Sequence, residues 1–224
     1  MRRVVIPELL DEDLGTPEEI AASLADLRRL NRWFGGTRTT VDLVRRVARQ
    51  TGRSEFSVLD IGAGCGGMIA SVRDALSQGG LQIQATLLDR KPSHMALADN
   101  HMHRVAANAL ALPFRDSAFD LVSCALFTHH LEPGDVITFL REALRVSRTA
   151  LLINDLRRSA TSLALVYAGF ALMRSSMSRH DGVASVRRAY TIGEMRVMIA
   201  RAGIAKAETR RYYLFRMGAI IWKS

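Results

Sequence analysis

Three groups of side chains sit at spacings that could do chemistry. The first is Val58-Leu59-Asp60-Ile61-Gly62-Ala63-Gly64-Cys65-Gly66-Gly67, a short apolar run entering a glycine-rich turn. Glycines let a backbone turn sharply and approach a ligand without a Cβ in the way. Gly62, Gly64 and Gly67 satisfy G-x-G-x-x-G, the spacing of many dinucleotide sites. Asp60 argues for a different ligand. A dinucleotide loop normally has an apolar residue there, packed inside the sheet, whereas a carboxylate suits a ligand with a cationic amino group, reached directly or through water. The second group is Asp89, 29 residues further on at the end of another apolar run. A carboxylate there can accept both hydroxyls of a ribose, one on each oxygen. The third is Phe127-Thr128-His129-His130-Leu131. A histidine has the pKa range of a general base and can take a phenolic proton. One or both imidazoles could equally cap the following helix or line a pocket. Because side chains alternate along a strand, at most one is expected to face a substrate.

These groups need elements to hold them. Thr16-Pro17-Glu18-Glu19 reads as a helix start, with a cap, a first-turn proline and acids at the positive end. Helix is expected through 17–49, with Gly35-Gly36 breaking it. From Phe56 on, strands and helices alternate. Strands are expected at Ser57–Ile61, Ile83–Leu88, Val105–Ala109, Phe119–Leu126 and Ala150–Asn154. Helices are expected at Met68–Leu76, His94–Ala98, Asp135–Val146 and Thr191–Ala202. Residues 206–213 and 216–222 read as two closing strands joined by a tight turn. Repeated strand–helix units imply a mainly parallel sheet with helices on both faces, and the closing pair implies one antiparallel strand. Ligands of such sheets sit at the carboxyl ends of the strands.

The chain of 224 residues is long enough for one sizeable α/β domain and short for two. Two cysteines, Cys65 and Cys124, are too few and too far apart for a disulfide scaffold or a zinc site, so a reduced, cytoplasmic protein and no bound metal are expected. The opening Met1-Arg2-Arg3-Val4-Val5-Ile6-Pro7 does not have the form of a signal peptide. The net charge of +9 is uneven. Residues 141–224 have 16 Lys/Arg against 5 Asp/Glu, while residues 1–140 have 15 against 17. A basic half can meet nucleic acid or an anionic membrane surface, but no RNA-binding motif or aromatic platform accompanies it, so no nucleic-acid partner is expected. The apolar stretch from Ala160 to Met173 is 14 residues, against the roughly 20 a bilayer-crossing helix needs. A buried or interfacial helix is expected, which leaves room for peripheral membrane contact.

The stretch Asn108-Ala109-Leu110-Ala111-Leu112-Pro113-Phe114-Arg115-Asp116-Ser117-Ala118-Phe119-Asp120-Leu121-Val122, at its distance behind Leu59-Asp60-Ile61-Gly62-Ala63-Gly64, resembles the core of class I S-adenosylmethionine-dependent methyltransferases over residues 56–155. The resemblance implies a Rossmann-like seven-stranded sheet, mainly parallel with an antiparallel final strand, a helical N-terminal lid and a helical insertion after strand five. It also implies S-adenosylmethionine as cofactor, held by Asp60, Gly62, Ala63, Gly64, Asp89, Arg90, Asn108, Ala109 and Leu126. In that family an acidic residue commonly contacts the adenine amino group at the position of Asn108. An asparagine carbonyl can still accept that N–H, and Ala109 would offer its own backbone N–H to the ring. His-His-Leu sequences at the position of 129–131 are similar to those of methyltransferases acting on quinones and related small molecules.

Outer matches extend the likeness. Ala184-Ser185-Val186-Arg187-Arg188-Ala189-Tyr190, with Glu194 and Ala200-Arg201-Ala202-Gly203, resembles ubiquinone/menaquinone-biosynthesis-type methyltransferases, and Leu30-Asn31-Arg32-Trp33-Phe34-Gly35-Gly36 is similar to their lid helix. The acceptor is expected beside Asn31, Phe34, Arg157, Tyr167, Arg187 and Tyr190, where arginines could hold a carboxylate or phenolate or be surface charges. One domain over 1–224 is therefore expected, divided into a lid (1–50), a cofactor core (55–155), an acceptor-side insertion (156–190) and a final helix and strand pair (191–224). The expected activity is O-methylation of a small phenolic, quinone-like or polyketide-type acceptor with His129 or His130 as base, by a monomer or homodimer. Carbon methylation of a quinone ring precursor, a nicotinamide oxidoreductase and a non-catalytic cofactor-binding partner are the alternatives.

Overall fold

A computed structural model gives the fold, and all residues are described except 13, 97–101, 214 and 224. Residues 1–12 and 14–15 are irregular, and α1 (Pro17–Trp33) and α2 (Gly36–Thr51) follow. Thr16 caps α1 as its sequence implies: its hydroxyl accepts from Glu19 N–H, and the Glu19 carboxylate accepts from Thr16 N–H. Gly35, in the left-handed conformation, separates the two helices. There follow β1 (Glu55–Ile61), α3 (Gly67–Ser77), β2 (Gln82–Asp89), the single turn α4 (Pro92–Met95), β3 (His103–Ala106) and β4 (Phe119–Ala125). After a 3₁₀ turn at Thr128–His130 come α5 (Pro133–Val146), β5 (Ser147–Leu156), α6 (Ala160–Ala168), α7 (Ser176–Arg188), α8 (Ile192–Arg201), β6 (Ala207–Tyr212) and β7 (Arg216–Trp222).

The seven strands form one sheet in the order β3-β2-β1-β4-β5-β7-β6, with β7 antiparallel to both of its neighbours and the other adjacent pairs parallel. Alternating residues of the central strands build the two faces. Leu59, Ile61, Val122, Leu151 and Ile153 pack under Phe139 and Leu140 of α5 and Met195 of α8. Val58, Leu87, Leu121 and Leu152 pack under Val44 and Val47 of α2 and Ile69, Val72 and Leu76 of α3. Nearly continuous apolar strands are what a sheet covered on both faces requires.

Three expectations shift for local reasons. β3 stops at Ala106 instead of reaching Ala109, because Asn108 turns the chain: its side-chain oxygen accepts from Leu110 N–H and its carbonyl from Ala111 N–H. β5 runs two residues beyond Asn154, since β7 pairs with it as far as Leu156. Residues 176–188, unassigned from the sequence, form α7, which packs on α6 and α1. Of the helix expected over His94–Ala98, residues 97 and 98 lie outside the described residues. Among the described residues no helix is long and apolar enough to cross a membrane.

Candidate active site

The strand order reverses between β1 and β4, and a cavity of about 820 Å³ lies at their carboxyl ends. Its floor is the β1 turn with the ends of β2 and β4; its cover is α1, α6, α7 and residues 5–12. This is where open α/β sheets place their ligands.

All nine residues expected for the cofactor line the cavity. Asp60 is buried, and its Oδ1 has no hydrogen-bond partner among the described residues. Burial pushes its carboxyl up to about 7, against the pull of Ser123 and with a further push from the charge of Asp89. A buried carboxylate with an unfilled oxygen fits a ligand ammonium. Asp89 is held ready: Oδ2 accepts from Gly64 N–H at 2.9 Å and Oδ1 from Lys91 N–H at 3.0 Å, which leaves lone pairs on both oxygens. Gly62 and Gly64 both have positive φ, for different purposes. A Cβ on Gly62 would lie 2.6 Å from the Phe127 ring, so that glycine admits an aromatic wall. A Cβ on Gly64 would meet nothing within 4 Å, which leaves backbone open to a ligand. Leu126 lies in the left-handed region, φ 54°, an uncommon conformation for a residue with a Cβ. Ammonium site, ribose acceptor and exposed glycine backbone together fit S-adenosylmethionine.

His129 lines the same cavity. The turn after β4 drops it beside the end of β5, where Asp155 collects four donors: Thr128 Oγ1–H, His129 N–H, His129 Nδ1–H and Leu156 N–H. The imidazole, 1% exposed, therefore turns Nε2 away from Asp155, and the residue lines the cavity. Nε2 meets Glu8 Oε1 at 3.4 Å, and neither atom has a hydrogen-bond partner among the described residues. Burial works to lower the pKa of His129, but the charge and hydrogen bond of Asp155, then the carboxylate of Glu8 beside it, push it up to about 10. Asp155 responds inversely: burial works to raise it, and His129 with Thr128 holds it down at about 2. At neutral pH His129 thus carries both protons and presents a donor, not a lone pair, at Nε2. His130 lies against it, ring centroids 4.2 Å apart, with Nδ1 2.6 Å from Asp11 Oδ2. Both histidines line the cavity, so the strict strand alternation expected for them is replaced by the geometry of a 3₁₀ turn. Arg188 secures that turn from α7, donating to the carbonyls of His129 and His130.

The acceptor candidates divide. Asn31 and Phe34 line the cavity; Arg157, Tyr167, Arg187 and Tyr190 do not. Tyr167 is exposed against Phe170, and Tyr190 is buried with its hydroxyl donating to the Leu131 carbonyl. α6 instead turns Leu165 and Val166 inward, opposite Leu24, Leu27 and Leu30 of α1. Of the clustered arginines, Arg188 lines the cavity where 157 and 187 do not. Arg216 is a further lining residue, fully buried and bonded to Phe34 O, Asn154 Oδ1 and Asn31 Oδ1. Glu8 and Asp11 escape sequence reasoning because their segment has no periodicity. The signal available was an acidic cluster, Glu8-Leu9-Leu10-Asp11-Glu12-Asp13, directly behind a basic, apolar start.

Residues 58–150 match the methyltransferase-domain family model. No curated protein matches the chain. Among solved structures, the plantazolicin methyltransferase BpumL in complex with S-adenosylhomocysteine superposes with a TM-score of 0.72 at 14% identity, covering 96% of this chain and 94% of that one. The CMeT domain of the citrinin polyketide synthase gives 0.67 at 14%, covering 96% and 59%. Magnesium protoporphyrin IX methyltransferase from Synechocystis PCC 6803, also with S-adenosylhomocysteine, gives 0.57 at 15%, covering 90% and 94%.

Proposed function

We propose that this chain, whose residues 58–150 match the methyltransferase-domain model, is a class I S-adenosylmethionine-dependent methyltransferase that methylates a hydroxyl oxygen of a small phenolic, quinone-like or polyketide-type acceptor. The observation that carries the reading is the His129–Asp155 pair, whose histidine lines the same cavity as the cofactor candidates.

The sulfonium of the bound cofactor supplies an electrophilic methyl group. The protein has two remaining tasks, to hold an oxygen in line with that methyl and to manage the proton it carries. An unperturbed phenol, like tyrosine, has a pKa near 10 and is mostly protonated at neutral pH. His129, fixed by Asp155, sets a hydrogen bond at the oxygen. Leu24, Leu27, Leu30, Leu165 and Val166 offer an apolar body its surface and keep water from the site. The similar folds named for a polyketide synthase, a porphyrin and plantazolicin are consistent with a scaffold that serves varied acceptors and do not choose among them.

Carbon methylation of a phenolic ring is the second reading, since a phenolate in the same pocket also activates its ortho carbon. The test is turnover with S-adenosylmethionine and a panel of phenols, read as S-adenosylhomocysteine release, with the product placed by NMR. A methyl ether is expected. A ring-carbon methyl would establish the second reading, and methylation of amines alone would overturn both.

A further inference from the structure

Residues 1–12 form no helix or strand, yet side chains and backbone pin them across the cavity. Arg3 Nε donates to Arg188 O at 2.8 Å, its Nη1 pairs with Glu132 at 3.0 Å, and Val4 N–H reaches Arg187 O at 3.1 Å. Leu9 and Leu10 N–H both donate to the Asp181 carboxylate. Asp11 holds His130 through its side chain and Lys91 through its carbonyl. In the middle of this strap sits Glu8, 7% exposed. A buried carboxylate oxygen without a hydrogen bond is costly, and a strap whose only task was cover would put an apolar residue there.

Glu8 Oε1 lacks a donor in hydrogen-bond geometry and His129 Nε2–H lacks an acceptor in one; the two form an ion pair at 3.4 Å between residues that line the cavity. A hydroxyl is both donor and acceptor. Its oxygen can sit about 2.7–2.9 Å from each atom, donating to the carboxylate and accepting from the imidazolium. We propose that Glu8 is the proton acceptor of the reaction and that His129 is the fixed cationic donor that holds the oxyanion. The proposal rests on the phenolic reading above.

In the step, the hydroxyl O–H bond breaks, the proton passes to a Glu8 oxygen and the electron pair stays on the substrate oxygen. That oxygen forms the new bond to the methyl carbon as the pair of the broken sulfur–carbon bond stays on sulfur. Glu8 returns the proton to water once the product has left. The groups facing Glu8 are His129 and His130 from the 3₁₀ turn, Asp11 from the strap and Arg188 from α7, with Asp155 behind His129. Burial works to raise the Glu8 carboxyl, but His129 and then His130 outweigh it and hold it below its ordinary value, so it is ionised and ready at neutral pH.

Glu8, His129 and His130 could also offer one donor atom each to a cation, within 4.8 Å of one another. The proton relay is favoured because the His129 ring, with Asp155 on Nδ1 and Glu8 at Nε2, keeps both of its protons.

The test uses the full chain with S-adenosylhomocysteine bound and para-nitrophenol as probe, at a pH just below the probe's own pKa. Calorimetric affinity for S-adenosylhomocysteine verifies that each variant is folded. The wild type is expected to bind the probe as phenolate, seen by its visible band. Glu8→Gln should lose the band, and Glu8→Asp should recover part of it. With a turned-over phenol, kcat of Glu8→Gln should fall by about 10²-fold or more while KM changes little. A folded Glu8→Gln that keeps the phenolate band would overturn the proposal and return the proton to His129. A wild-type band abolished by chelator and restored by zinc would overturn it in favour of a metal. If the wild type ionises no phenol and methylates none, the phenolic reading fails with it; if it methylates phenols while Glu8→Gln is unimpaired, only the role of Glu8 fails.

Discussion

His129 Nδ1 lies 2.6 Å from Asp155 Oδ1 with both residues closed off from solvent, so the imidazole is aimed and charged by one contact. Removing either partner leaves the other buried and uncompensated, which typically costs about 3–5 kcal/mol. Asp155→Asn should therefore lower the melting temperature by many degrees and depress kcat, through the tilt and lost charge of His129. Thermal melts paired with turnover check it; an unchanged melting temperature would show that the pair is not coupled to the fold.

The same pair makes stability depend on pH. The pKa of His129 is raised from 6.5 to about 10, so its contribution is fully present below pH 6.5 and is lost as pH rises through 10. That of Asp155 is lowered from 3.8 to about 2, so its contribution is present above pH 3.8 and is lost as pH falls through 2. The melting temperature of the wild type should decline between pH 7 and 10, in the window these values set, and the decline should be shallower in His129→Gln.

If Asp60 pairs with the cofactor's ammonium, as proposed, cofactor affinity should depend on pH in the opposite sense. Its carboxyl is raised to about 7, and only its ionised form pairs with an ammonium. Calorimetric affinity for S-adenosylhomocysteine should rise from pH 6 to 8, through that value. Asp60→Asn should remove the slope and weaken binding by about ten- to a hundredfold, the worth of one charge-assisted hydrogen bond of about 1.5–3 kcal/mol.

Two glycines two positions apart, Gly62 and Gly64, should fail differently. Each alanine substitution places a Cβ at positive φ, a strain of about 1–2 kcal/mol. Gly62→Ala adds a collision with Phe127 and should lose the larger share of thermal stability. Gly64→Ala meets no protein atom and should show mainly as weakened cofactor binding. Melts and titrations of both variants separate the two effects.

The apolar wall, not the outer aromatic, should set acceptor preference. Val166→Trp fills the cavity from α6 and should raise KM for bulky phenols by about tenfold or more while S-adenosylhomocysteine affinity holds. Tyr167→Ala, on the exposed face of the same helix, should leave KM where it was. Equal effects of the two variants would misplace the acceptor.

That the cofactor candidates share one cavity was legible because their spacing is local. A strand, a glycine turn and a carboxylate at the next strand end occupy known sequence distances, and Asp60, Gly64, Asp89 and Asn108 meet around one cavity accordingly. The acceptor half was not, because it is assembled from distant segments. Arg187 and Arg188 are neighbours in a helix whose phase was unassigned, and only the second reaches the cavity. Tyr167 and Val166 likewise differ by one step of rotation, about 100°, on α6. Asp155, at a strand end, acquires its role only when the turn at 128–130 is laid against it.

The strap has a consequence for how the molecule is made. Arg3, Glu8, Leu9 and Asp11 are translated well before their partners at 129–132, 181 and 187–188. During most of synthesis the strap has nothing to bind. The loops its contacts close are long, so their entropy is met only after the sheet and α7 have brought the partners together. Cofactor-binding geometry can therefore form before the proton-handling geometry does. A chain caught between these stages would hold the methyl donor without the means to use it.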